Sequence, residues 1–73
     1  MNEAVLTAVC KAVAEVFELP VESLSADTEL AVVAADSVGL IVVADIVESA
    51  GWNLSDEALK NARTIGDLAA SVE

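Results

Sequence analysis

The chain has 73 residues, of which 56% are hydrophobic and only 3% aromatic; its formal net charge is −10 and it has no histidine. This length bounds one small domain, and the apolar content argues against disorder despite the charge, so the core must be built from Ala, Val, Leu and Ile. The acidic excess argues against nucleic acid and against an anionic membrane surface. It favours partners with basic docking patches, reached by electrostatic steering.

The start, "MNEAVLTAVCK", carries Glu3 early and lacks a basic leader region, so no secretory signal is expected. Residues 31–50 are apolar on average, but Asp36, Asp45 and Glu48 interrupt them, which argues against a membrane span. The expected location is the cytoplasm.

The first periodic segment covers residues 3–18. Val5, Leu6, Val9, Val13, Val16 and Phe17 recur at helical spacing and form one stripe, with Glu15 and Glu18 mostly off it. Pro20 ends this helix, because the residue before a proline is pushed out of the helical region. Residues 19–36 then read as a long connection, with turn residues in "SADT" and with Val21, Leu24 and Leu30 available to pin it to the core.

A second long helix is expected from Asp36 or Ser37 to about Ala50, with Gly51 at the position that suits a left-handed residue. Leu40, Val43, Ala44 and Val47 share one face of it; Val38, Ile41, Val42 and Asp45 share another. Only one of these faces can lie fully on the core. The carboxylate of Asp45 argues for the second set facing outward, since an unpaired buried charge is costly. The competing reading is that Ile41 or Val42 tucks sideways against the long loop and only packs, and for Ile41 this competes seriously.

Ser55 is the expected N-cap of a short third helix, "SDEALKNA", with Asp56 and Glu57 in its first turn. Thr64 and Asp67 have the spacing of a capping box. They open a last helix that carries Ile65, Leu68, Ala69 and Val72. The expected fold is all-α: a small antiparallel bundle of three main helices and one short one, with a long loop between helices one and two.

Little catalytic chemistry is available. Without histidine there is no Ser-His-Asp or Cys-His arrangement and no histidine metal site. The single cysteine, Cys10, lies on or beside the apolar stripe with no cationic activator evident and reads as a small core residue. Asp56 and Glu57 read as helix-start charges, and there is no phosphate-binding glycine loop or calcium loop. The expectation is a non-catalytic chain with no metal site.

Ser37 has two readings. It is an ordinary residue at a helix start, as an N-cap. Alternatively, Asp36 takes the cap and Ser37 becomes the first helical residue, where an attached phosphate would sit at the positive end of the helix. Physics alone leaves these comparable.

The stretch "ADSV", with Asp36-Ser37-Val38 preceded by Ala35 and followed by an apolar helix, resembles the acyl carrier and peptidyl carrier proteins. "VFELPVESLSADTEL" before it and "NLSDEALKNARTIGDLAASV" after it extend the resemblance over essentially the full chain. The family implies a four-helix bundle whose second helix begins at a modified serine. By that resemblance Ser37 receives 4′-phosphopantetheine from coenzyme A through a separate, Mg²⁺-dependent phosphopantetheinyl transferase. The arm then holds acyl or aminoacyl groups as thioesters for a loading enzyme and for downstream synthase or transferase enzymes. Residues 1–73 are then a single carrier domain, expected to be monomeric. Asp36, Val38, Ile41, Val42 and Asp45 are the expected docking residues.

The sequence departs from the usual acyl-carrier pattern just after Ser37. Gly39, Leu40, Ile41 and Val42 stand where many such proteins have acids, and the first acid is Asp45. That shifts weight from a fatty-acid-synthase partner set to a discrete acyl carrier of a polyketide or other specialised pathway. A peptidyl carrier of a nonribosomal-peptide-type pathway is the alternative. The remaining reading, an acidic helical interaction module with no prosthetic group, carries less weight.

Overall fold

The computed structural model describes residues 3–33 and 37–72, with Val33 and Ser37 described by backbone alone. The helices are α1 (Glu3–Phe17), α2 (Leu30–Val33), α3 (Ser37–Ser49), α4 (Asp56–Asn61) and α5 (Ile65–Ser71). A single 3₁₀ turn, Val21–Ser23, follows α1. The main helices and the short one expected from the sequence are α1, α3, α5 and α4. The helical turn α2 is an addition inside the segment expected to be loop. Of the residues expected to pin that segment, Leu30 is buried and Leu24 half-buried, whereas Val21 is exposed.

α1 packs against both α3 and α5, and α4 lies against α3 and α5. The core is aliphatic. Val5, Val9, Cys10, Ala12 and Val13 come from α1, Val43, Ala44 and Val47 from α3, and Ile65, Leu68 and Ala69 from α5; Leu30 and Leu54 close it. Phe17 and Trp52 are only partly buried at its edge. Cys10 is part of this packing, and desolvation raises its thiol pKa, which keeps it protonated and inert.

Each helix end has a local chemical reason. At the end of α1 the Leu19 amide reaches back to the Ala14 carbonyl (2.9 Å), which requires Glu18 to adopt φ 54°, the left-handed region. At the end of α3 the Trp52 amide donates to the Val47 carbonyl (3.3 Å) and the Gly51 amide to the Glu48 carbonyl (3.0 Å). This is the Schellman pattern, with Gly51 at φ 104° as its left-handed residue. Ser55 caps α4 through the Ala58 amide (3.1 Å). Thr64 and Asp67 cap α5 reciprocally.

The connection between α1 and α3 is fastened to the turn between α4 and α5. The Leu30 amide donates to the Arg63 carbonyl (2.8 Å), Ile65 to Thr28 (3.0 Å) and Gly66 to Ala26 (2.9 Å). Gly66 is needed there: a Cβ at this position would lie 2.9 Å from the Ala26 carbonyl oxygen.

Candidate functional site at the start of helix α3

α3 is described over Ser37–Ser49; Asp36 lies outside the described residues, and so does the choice between Asp36 and Ser37 as its cap. α3 runs for 13 residues, and its first turn contains no acid. The helix dipole makes the N-terminal end of a helix locally positive. Nothing acidic in that first turn offsets it.

The two faces of α3 are separated as the periodicity requires. Val43, Ala44 and Val47 are buried and Leu40 is half-buried. Val38, Ile41 and Val42 are 69%, 53% and 43% exposed, and Asp45 is exposed as well. Of the five large hydrophobic residues exposed among the described residues, these three follow Ser37 within two turns. A fourth, Val32 in α2, precedes it by five positions and is 76% exposed. Sequence pattern does not single out Val32, since "LAVVAAD" is an apolar run without a period.

Beside Ile41, a groove of about 330 Å³ opens between α3 and α4, lined by Leu40, Ile41, Leu59, Asp56 and Lys60. Its apolar walls suit an aliphatic group, and its rim carries one charge of each sign. A larger recess of about 550 Å³ lies between α4 and α5, edged by Glu57 and Asp67. It touches no residue of α3, so its size does not bear on the chemistry at Ser37. No group of acids and cysteine among the described residues is arranged to hold a metal ion. None of the described helices is long and apolar enough to cross a membrane.

A small all-α fold with a serine opening its second long helix, bordered by exposed apolar residues, has the features of a carrier domain rather than of an active site. The chain matches the family model described as the phosphopantetheine attachment site over residues 7–72, and it belongs to that family of acyl and peptidyl carrier proteins. No curated protein and no solved structure matched. Members of this family bear a covalent 4′-phosphopantetheine group, installed by a phosphopantetheinyl transferase. The N-terminal end of a 13-residue helix with no acid in its first turn is a favourable place for the phosphodiester of such a group.

Proposed function

We propose that Ser37 is the attachment residue and that the protein presents acyl intermediates to the enzymes of a polyketide or other specialised pathway. When bound, the arm supplies a terminal thiol that carries the cargo as a thioester. The chain's own part is to hold the arm's root at a fixed surface point and to offer docking surfaces beside it. Tethering keeps the cargo at high effective concentration for each docked enzyme in turn. The observation that carries this reading is the match to the phosphopantetheine attachment site over residues 7–72, within which Ser37 lies in the first described turn of α3.

Val38, Ile41, Val42 and Asp45 form the proposed docking face, together with Asp36 outside the described residues. They serve the transferase, the loading enzyme and the downstream enzymes. A peptidyl carrier is the second reading, favoured by the apolar character of this face and the absence of acids in the first turn of α3. Residues 1–73 are taken as one carrier domain, cytoplasmic and monomeric; the net charge of −10 on each copy opposes self-association.

The test is mass spectrometry of the protein from its native host. The expected result is a phosphopantetheine arm on the peptide that contains Ser37, bearing a carboxylic acyl group. An aminoacyl group there would select the second reading. Protein unmodified both in the host and after incubation with coenzyme A and a broad-specificity transferase would overturn both.

A further inference from the structure

Among the described residues and hydrogen bonds, residues 25–33 form a strap with few anchors. Its turn is closed internally: the Ser25 amide donates to Thr28 Oγ1 (2.9 Å) and the Thr28 amide to the Ser25 carbonyl (3.2 Å). Outside itself it holds on along one edge, residues 63–66, through the three backbone hydrogen bonds of Leu30, Ile65 and Gly66. Leu30 is its one side chain described as buried. Ser25, Asp27, Glu29, Ala31 and Val32 are exposed.

The edge that receives the strap is also held from its own side. Residues 63–67 are fixed by the capping box, in which the Asp67 carboxylate accepts the Arg63 and Thr64 amides and the Thr64 hydroxyl accepts the Asp67 amide. Ile65, Leu68 and Ala69 hold α5 in the core. Segments with few buried contacts and exposed hydrogen bonds open at lower free energy than the core around them.

We propose that residues 25–33 open from residues 63–66 as a unit while α1, α3 and α5 stay packed. The strap is then a separate element of low local stability. It carries Val32, the most exposed large apolar side chain among the described residues. A partner that covers Val32 only in the closed arrangement shifts this equilibrium by its differential affinity for the two states.

The test is native-state amide exchange of the full chain, read residue by residue. The Leu30, Ile65 and Gly66 amides are expected to share one opening equilibrium and to exchange at least tenfold faster than those of Val9, Val13 and Val47. The decisive variant is Val47→Ala. It weakens packing that the closed and open forms both retain, so core amides should exchange at least tenfold faster while the three strap amides keep their rates. If strap and core amides accelerate together, or exchange equally in the wild type, the strap opens only with the whole domain and the proposal fails. If Val47→Ala does not fold, the wild type in low urea makes the same separation. Strap amides should then be nearly insensitive to urea while core amides respond steeply. A common urea dependence would overturn the proposal.

Discussion

Thr64 and Asp67 cap each other across the first turn of α5: the Asp67 amide donates to Thr64 Oγ1 at 3.1 Å, and the Thr64 amide donates to Asp67 Oδ2 at 3.2 Å. Thr64→Ala should lower stability by about 1 kcal/mol, the usual cost of a lost cap, measured by urea unfolding at neutral pH. Asp67 adds a pH signature. The Arg63 amide foremost, then the Thr64 amide, hold its carboxyl below the ordinary 3.8. A depressed carboxylate contributes stability that is fully present above the unfolded value and is lost as pH falls through the lower folded value. The stability difference between the wild type and Asp67→Asn should therefore be largest near neutrality and shrink below pH 3.8. A difference that stays constant across that range would contradict the assignment.

Glu18 and Gly51 occupy the same left-handed position after α1 and α3, with opposite suitability. A side chain there costs about 1–2 kcal/mol, and glycine gives back about 0.4–1 kcal/mol through the entropy of the unfolded chain. Glu18→Gly should therefore raise stability by about 0.5–1 kcal/mol. Gly51→Ala should lower it by about 1 kcal/mol, through conformation alone, since nothing lies within 4 Å of the added Cβ. Thermal or urea unfolding of both variants checks the pair.

Val42 and Val47 lie on opposite faces of α3, one 43% exposed and the other 1%. Val42→Asp should cost about 1 kcal/mol or less and weaken docking to a partner enzyme at least tenfold. Val47→Asp places an unpaired charge in the core and should cost more than about 4 kcal/mol, comparable with the whole stability of a domain this small. Circular dichroism with a binding titration separates the two effects; unfolding by Val42→Asp alone would reverse the assigned faces.

How far the sequence could be read depended on whether the relevant physics was local. The facing of α3 followed from Asp45 and a 3.6-residue period, the starts at Ser55 and Thr64 followed from side chains that satisfy orphaned backbone groups, and the end at Gly51 followed from glycine's freedom to take the left-handed conformation. The turn α2 has no apolar period in its sequence and forms where the chain is fastened to residues 63–66, so no local pattern announced it. Glu18 was hidden because the end of α1 uses a residue that disfavours its own conformation. Gly66, a glycine inside a helical pattern, was a readable sign of close approach, but its neighbour Ala26 is forty positions away in sequence. At the site, a helix that includes Ser37 was readable; the group proposed for Ser37 was not, because serine near a helix start serves equally as a cap, and that proposal rests on the family pattern.

The net charge of −10 predicts that docking weakens as salt rises, since exposed charges are screened beyond about 10 Å at 0.1 M ionic strength. The apolar residues on α3 should leave a salt-resistant remainder. Titration of a partner enzyme at several ionic strengths reads both parts, and affinity independent of salt would assign the interface to Val38, Ile41 and Val42 alone.

Ser37 as the sole attachment residue is tested most directly by the intact mass of the protein after incubation with coenzyme A, Mg²⁺ and a phosphopantetheinyl transferase. The wild type should gain the mass of one phosphopantetheine group, and Ser37→Ala, folded as judged by circular dichroism, should gain none. A gain that persists in Ser37→Ala, or a wild type that gains nothing, would contradict the assignment.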